Sequence, residues 1–312
     1  MHRPILPAAA LVLLAACGGG DGGGNPPDPD LVMAKAAPSG DAQTGTVGQA
    51  LADPLRVRVT LDGTPEAGHT VNWTALDGGV APTSSVTGAD GIASTSWTLG
   101  TAAGAQSARA TLAGASGSPV TFAATGTADV AAALVKVGGD NQGGHISTAA
   151  GSPIVVRVND QFGNPVGGAA VAFAVTAGSA TLGTPNDDTG ADGRAQTGFT
   201  FGATPGSVTI TATAAGLGGS PQTFSAESGH ILVANNQFQP ANLVVTAGTT
   251  VRWAWATTAT SHSVVPVGGA EPAASAVSAA PFAYQHTFTT PGVYDYECSV
   301  HGNLMTGTIT VQ

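Results

Sequence analysis

Short runs in which apolar and small polar residues alternate fill most of this chain. Examples are Val155–Val158, Ala170–Val175 and Val208–Ala214, each flanked by turns rich in Gly, Asp, Asn or Pro. Alternation with a period of two places the apolar side chains on one face of a β-strand. About seven such runs occur in roughly 100 residues, a density typical of antiparallel β-sandwiches. The pattern therefore predicts an all-β protein.

Residues 31–228 contain two copies of one strand-rich unit. Pro54–Val59 (PLRVRV) aligns with Pro153–Val158 (PIVVRV), and the turn sequence Thr-Gly-Ala-Asp-Gly occurs in both copies. Units of about 100 residues are too long for the repeats of one solenoid, so they predict two separate sandwiches. We place these domains at 31–128 and 129–228, followed by a third domain at 229–312.

Composition supports the strand prediction and excludes several functions. Of 312 residues, 45 are Gly and 20 are Pro, which disfavours helices. Nine basic and nineteen acidic residues give a net charge of −10, so the chain offers no basic patch and nucleic acid is not an expected partner. No hydrolase motif such as Gly-x-Ser-x-Gly or His-Glu-x-x-His occurs.

The first thirty residues predict an export leader and a tether. Residues 1–16 have a basic start and an apolar stretch, and Leu14-Ala15-Ala16-Cys17 resembles the lipobox of bacterial lipoproteins. This resemblance implies cleavage before Cys17 and lipidation there. The alternative is an ordinary signal peptide with an incidental cysteine. Residues 17–30 are rich in Gly and Pro and predict a flexible tether. We therefore expect a protein anchored in a membrane by lipid, at the outer membrane, the cell surface or in the periplasm.

The second cysteine of the chain is Cys298. If Cys17 is lipidated, Cys298 has no disulfide partner within the chain. A lone exported thiol is buried inertly, paired between chains, or bound to a metal as thiolate. Cys298, His301 and Met305 lie within eight residues of one another. His262, from an earlier strand, can complete a trigonal set of two imidazoles and one thiolate, with the thioether of Met305 as a weak further ligand. Soft sulfur with imidazole selects copper over magnesium, calcium or manganese.

A longer motif surrounds these residues near the end of the chain. It reads Tyr294-x-Tyr296-x-Cys298-x-x-His301-x-x-x-Met305-x-Gly307, and Phe-x-Pro and Val-x-x-Gly signatures precede it. With this motif, residues 229–312 resemble the small type 1 copper proteins of the plastocyanin/azurin (cupredoxin) family. The resemblance implies a Greek-key β-sandwich or barrel and one copper ion. It implies four copper ligands: His262, Cys298, His301 and Met305.

The resemblance also implies a role. Such a domain carries one electron at a time to or from a redox partner protein, with His301 as the exit, and is not itself an enzyme. Copper enzymes that pass electrons to a second copper use histidines beside the cysteine, whereas Glu297 and Ser299 flank Cys298 here. The alternatives are a copper-binding or copper-buffering surface lipoprotein and an adhesive one, neither with an electron-transfer role.

Some positions differ from the family pattern or lie outside it. The family often places Asn beside the first histidine, whereas Ser263 follows His262 here, and the spacing of four between the last His and the Met is unusual. The stretch 271–280 is rich in Ala and Ser and has no predicted role. We expect His230 and His286 to be structural.

The second repeat resembles the group 1 bacterial immunoglobulin-like (Ig-like) domains of intimin- and invasin-type surface proteins. The resemblance rests on Val156–Val166 (VRVNDQFGNPV), Ala170–Phe173 (AVAF) and Thr189–Ala195 (TGADGRA). The first repeat departs from it, because Leu61–Pro65 (LDGTP) shortens the Phe-Gly-Asn-Pro turn. We interpret both repeats as spacers that lift a functional module off the membrane, with adhesion as the alternative.

Overall fold

A computed structural model describes residues 30–312, and the regular structure in this range is entirely β-strand. This confirms the all-β prediction. Cys17, the leader and nearly all of the tether lie outside the described residues. The described part contains no helix able to cross a membrane.

Ten strands and two sheets form the first copy of the repeated unit. The strands are β1 (Leu31–Lys35), β2 (Gln43–Thr46), β3 (Leu55–Leu61), β4 (Thr64–Pro65), β5 (Thr70–Ala75), β6 (Gly79–Ala81), β7 (Ser84–Val86), β8 (Ile92–Thr98), β9 (Gly104–Thr111) and β10 (Val120–Thr127). The sheet orders are β1-β3-β8-β6, with β4 paired to β3, and β2-β10-β9-β5-β7. Side chains from both sheets form one core that includes Trp73, Trp97 and Phe122.

The second copy is similar, except that two short strands take the place of the single strand β8. Its strands are β11 (Ala133–Gly138), β12 (Gln142–His145), β13 (Ile154–Asn159), β14 (Ala170–Ala177), β15 (Ala180–Leu182), β16 (Asn186–Asp188), β17 (Arg194–Thr197), β18 (Phe199–Phe201), β19 (Gly206–Thr213) and β20 (Gln222–Gly229). The sheet orders are β11-β13-β17, β12-β20-β19-β14-β16 and β15-β18, with β17 and β18 in the place of β8. In each copy seven strands have four or more residues, as many as the alternation predicts, and three are shorter.

The repeated Thr-Gly-Ala-Asp-Gly sequence forms a tight turn in both copies. In the second copy the Asp192 carboxylate accepts a hydrogen bond of 3.1 Å from the Arg194 amide, and Gly193 has a φ of 73°. Asp90 and Gly91 repeat this geometry in the first copy. A short acidic side chain that bonds the backbone two residues ahead is typical of turns. The motif therefore serves backbone geometry.

Eight strands form the third domain. They are β21 (Ile231–Ala234), β22 (Gln237–Gln239), β23 (Asn242–Val245), β24 (Thr249–Trp255), β25 (Val265–Pro266), β26 (Ala283–Phe288), β27 (Gly292–Cys298) and β28 (Gly302–Val311). The sheet orders are β22-β21-β24-β26 and β23-β28-β27-β25, with β21 parallel to β24 and β23 parallel to β28. The core between the sheets contains Trp253, Trp255, Phe288 and Tyr296, all fully buried.

The second and third domains meet without a linker. β20 ends at Gly229 and β21 begins at Ile231, so one residue separates the two strands. Across the junction, Arg252 forms an ion pair with Glu227. The Arg252 backbone amide donates to Nδ1 of His230, the residue between β20 and β21, at 3.2 Å. The ion pair therefore links the third domain to the second.

Candidate metal centre

Three metal-binding side chains converge at one end of the third domain. Cys298 is the last residue of β27, His301 lies in the turn that follows, and His262 lies between β24 and β25. Their donor atoms lie within 4.8 Å of one another. Within residues 30–312 no other group of three His, Cys, Asp or Glu donors comes this close together.

The spacing of these donor atoms fits a single metal ion. Cys298 Sγ lies 3.3 Å from His301 Nδ1 and 3.7 Å from His262 Nδ1. A metal ion about 2.3 Å from a sulfur and about 2.0 Å from an imidazole nitrogen holds those two donors roughly 3.5–3.8 Å apart at trigonal or tetrahedral angles. Cys298 and His262 are 0% exposed, whereas His301 is half-buried. The site therefore has two donors buried in the domain and one donor that reaches the surface.

A tight turn places His301 beside the thiol. The His301 amide donates to the Cys298 carbonyl at 3.1 Å, and Gly302 has a φ of 54°, a value that favours glycine. Gly302 then pairs with Cys298 across the sheet. The turn sequence therefore brings the imidazole back over the end of β27.

The last strand begins earlier than the sequence indicates. The motif predicts a start near Gly307, whereas β28 starts at Gly302. The pairing nevertheless jumps from Cys298 with Gly302 to Glu297 with Thr306, so the residues between form a bulge. Bulges commonly re-aim side chains next to functional sites.

The bulge points its side chains in opposite directions. Leu304 is 83% exposed, whereas Met305 is 1% exposed and belongs to the same hydrophobic cluster as Cys298. A His, Cys, His and Met set is thus present in one region. That Met305 is the axial ligand stays a prediction.

Asn235 fixes the orientation of the His262 ring. Its side-chain oxygen lies 3.3 Å from His262 Nε2, the nitrogen that faces away from Cys298. With Nε2 as the donor, Nδ1 carries the lone pair that a metal requires. Burial, and next the neighbouring His301 ring, lower the pKa of His262 from its ordinary value. Both effects favour the neutral, metal-binding imidazole.

Hydroxyl groups connect the segments that carry the donors. Ser263 Oγ lies 2.7 Å from Ser299 Oγ and accepts a hydrogen bond of 3.0 Å from the Ser299 amide. Ser263 therefore joins the segment of His262 to that of Cys298, at the position where the family often has Asn beside the first histidine. The sequence signal for this role is that a hydroxyl residue, Ser263, directly follows the predicted ligand His262.

The Ala/Ser-rich stretch 271–280, without a predicted role, lies along the His262 segment. Ser278 and His262 exchange two backbone hydrogen bonds of 2.9 Å, and Ser275 Oγ accepts from the Val264 amide at 2.8 Å. Sequence reasoning missed these partners, and it missed Asn235. No spacing rule links these residues to a histidine that belongs to another strand.

We expect replacement of Ser263 by Ala to lower the free energy of unfolding by about 1–2 kcal/mol, because the buried Ser263 hydroxyl no longer bonds the amide and the hydroxyl of Ser299. Chemical denaturation of the metal-free protein measures the change. Ser261→Ala is the matched control, since Ser261 is exposed and its side chain makes no hydrogen bond within the described residues. Equal stability of the two variants would contradict the role given to Ser263.

The other two histidines of the domain lie outside the donor group. His230 Nδ1 accepts the Arg252 amide at 3.2 Å. His286 lies 3.8 Å from Glu271 and packs on Phe288 with ring centroids 4.8 Å apart. His230 therefore makes a hydrogen bond of the fold, and His286 makes a packing contact.

Comparison with known proteins separates the chain into the same modules. Residues 228–312 match the model for copper binding proteins of the plastocyanin/azurin family, and residues 147–226 match the bacterial Ig-like domain (group 1). No curated protein matches the chain.

Three solved structures have similar parts. A reduced amicyanin variant is 33% identical over 26% of this chain and 79% of its own, with a TM-score of 0.24. A purple cupredoxin from Nitrosopumilus maritimus is 26% identical over 26% of this chain and 97% of its own, with a TM-score of 0.24. The D0-D1 domain of intimin is 19% identical over 60% of this chain and 92% of its own, with a TM-score of 0.25.

The assignment rests on the family models, since these TM-scores are low. It agrees with the donor set found at the end of the third domain. Residues 228–312 of this chain therefore belong to the plastocyanin/azurin family of copper-binding proteins, and residues 147–226 to the group 1 bacterial Ig-like domains.

Proposed function

We propose that this protein is an exported, lipid-anchored type 1 copper protein that carries one electron at a time. The observation that carries the proposal is the buried Cys298 thiol, with the Nδ1 atoms of His301 and His262 at 3.3 and 3.7 Å. Membership of the third domain in a copper-binding family supports it.

The donor chemistry favours copper. One thiolate and two imidazoles, with a thioether nearby, form a soft set that suits copper and not magnesium or calcium. Bound copper supplies one-electron chemistry, because it alternates between Cu(I) and Cu(II). The residues of the chain hold the donors in place: Asn235 orients His262, and Ser263 ties the two donor segments together. Donors held this firmly move little when the charge of the ion changes.

His301 is the proposed exit for the electron. It is the half-buried donor, and exposed apolar side chains lie next to it: Val300 is 52% exposed and Leu304 is 83% exposed. An apolar patch around a ligand that reaches the surface suits contact with a redox partner protein, because the buried core of a protein–protein interface is more apolar than its rim. The distance from the ion to the partner would then be short.

We expect Met305→Leu to keep the intense visible absorption of the copper protein and to raise its reduction potential by on the order of 50–100 mV, because an axial thioether stabilises Cu(II). Protein-film voltammetry measures the shift. Met33→Leu is the matched control, since Met33 is equally buried but lies in the first Ig-like domain. Complete loss of copper in Met305→Leu, or an unchanged potential, would contradict the axial role.

The rest of the chain is proposed to present this module. The lipobox-like sequence at Cys17 and the Gly-rich segment after it support a lipid anchor and a tether, at the outer membrane, the cell surface or in the periplasm. The two Ig-like domains are proposed as spacers. At their joint, the Asn164 side chain bonds the backbone of Thr101 and Ala103, both at 2.8 Å. Contacts of this kind support a stalk that holds the copper domain away from the membrane.

The test of the electron-carrier proposal is redox cycling. The purified protein is loaded with Cu(II), reduced with ascorbate and reoxidised with ferricyanide while its visible spectrum is followed. We expect the colour to disappear and return fully over repeated cycles. A protein that binds copper but releases it on reduction would support buffering instead. A colourless protein that takes up zinc equally well would reject the proposal.

A further inference from the structure

The second Ig-like domain contacts the third domain close to the metal centre. A Cβ atom built on Gly143 of β12 would lie 1.5 Å from the carbonyl oxygen of Trp255 and 3.2 Å from the Cα of Ala256. The Gly143 amide donates to Thr257 Oγ1 at 3.2 Å. Gly143 lies outside the left-handed region of backbone conformation. The close approach, and not the backbone conformation, therefore requires glycine at this position.

Trp255 cannot yield easily to a larger residue at position 143. It is 0% exposed, and its ring packs edge-on against Phe282 with centroids 4.8 Å apart. Its Nε1 donates to the carbonyl of Ser278 at 2.8 Å. Ser278 in turn exchanges two backbone hydrogen bonds of 2.9 Å with His262. A shift of Trp255 is therefore transmitted to His262 through one intervening residue.

A second route leads from the same contact to the same histidine. The Ala259 amide donates to the Ala256 carbonyl at 2.8 Å, which fixes the turn that follows β24. The next residue, Thr260, donates its amide to Asn235 Oδ1 at 3.0 Å, and that oxygen also lies 3.3 Å from His262 Nε2. Both routes are short and consist of hydrogen bonds and of covalent links between neighbouring residues.

The junction holds the two domains together at this point. The Arg252–Glu227 ion pair spans it, and a Cβ atom on Gly229 would lie 2.7 Å from the Ala254 amide nitrogen. The second domain therefore cannot simply withdraw from Trp255.

We propose that the second Ig-like domain is a structural part of the metal centre, with Gly143 acting as a positioning residue for His262 through Trp255. The proposal rests on the proposed function only in naming copper as the ion that His262 binds. It gives the domain next to the copper module a role beyond spacing, because the position of one ligand depends on how the two domains meet.

Hydrogen exchange in the full-length, metal-free protein tests this proposal. The variant is Gly143→Ala, and the readout is exchange of the His262 and Ser278 amides. We expect both amides to exchange at least about tenfold faster than in the wild type, because local opening becomes easier. Gly151→Ala is the matched control, since a Cβ there meets nothing within 4 Å and Gly151 is likewise outside the left-handed region. It should exchange at wild-type rates.

A second variant covers the case in which Gly143→Ala fails to fold. Thr257→Val removes the acceptor of the Gly143 amide while keeping the shape of the side chain, and we expect about threefold faster exchange at the same two amides.

Wild-type exchange at these amides in every folded variant would overturn the proposal. Because no metal is present, that result would leave the copper function standing. Conversely, a wild-type protein that fails to bind copper would leave the exchange result valid.

A spectroscopic readout then connects the contact to the ion. In the Cu(II)-loaded full-length protein, Gly143→Ala should change the copper hyperfine splitting in electron paramagnetic resonance, whereas Gly151→Ala should not. Faster exchange with identical copper spectra would overturn the claim that Gly143 positions the ligand.

Discussion

Replacement of Cys298 by Ser is expected to abolish the intense visible absorption of the Cu(II)-loaded protein and to weaken copper binding by at least about 100-fold. The absorption depends on electron density shared between a thiolate sulfur and the ion, and a hydroxyl group does not supply it. Cys298 is fully buried beside two imidazoles. Among the described residues, Met305 carries the other sulfur atom in the hydrophobic cluster of Cys298. Absorption spectra and copper titrations of the two proteins measure the difference.

The matched control is Cys17→Ser, which removes the other cysteine of the chain. It should keep the colour and the copper affinity, and it should release the protein from the membrane fraction of the cells that express it. A Cys298→Ser protein that retains the wild-type spectrum would show that the donor assignment is wrong. A Cys17→Ser protein that stays in the membrane fraction would reject the lipid anchor alone.

Replacement of Trp253 by Ala is expected to destabilise the third domain by about 3–5 kcal/mol. Trp253 is 0% exposed, and its ring lies 5.5 Å from those of Tyr284 and Tyr296 and 6.4 Å from that of Phe288. It therefore contacts strands from both sheets of the sandwich, and its removal leaves a large cavity between them.

Urea denaturation of the metal-free protein measures this loss. The control is Leu304→Ala, because Leu304 is 83% exposed in the same domain and should change stability by no more than about 0.5 kcal/mol. A loss below about 1 kcal/mol for Trp253→Ala would mean that the core of this domain repacks around the cavity or that the described packing is wrong.

The fold follows largely from features that are local in the sequence. Alternating runs such as Val155–Val158 became strands because each needs one buried face, and the Asp-Gly pairs became turns because glycine accepts a positive φ. The beginning of β28 at Gly302 was not predicted. It depends on a bulge, and the alternation pattern does not reveal where pairing with the neighbouring strand shifts its register.

The candidate site likewise contains some residues that the sequence predicts and others that it does not. Cys298, His301 and Met305 could be proposed from spacing, because they lie within eight residues of one another. Asn235 and Ser278 could not, since each reaches His262 from a separate segment. The contact between Gly143 and Trp255 lies further still from any local pattern, because it joins two domains. The residues that support the donors are thus brought to the site by tertiary packing. Their spacing along a single sequence does not identify them.

Electron paramagnetic resonance of the wild-type protein during stoichiometric addition of Cu(II) tests the central claim most directly. If His262, Cys298 and His301 hold one type 1 copper ion, a single species forms and saturates at one equivalent. Its hyperfine splitting is narrow and its colour is intense, since the thiolate takes up much of the unpaired spin. A colourless species with the wide splitting of ordinary Cu(II), or saturation well away from one equivalent, would contradict the claim.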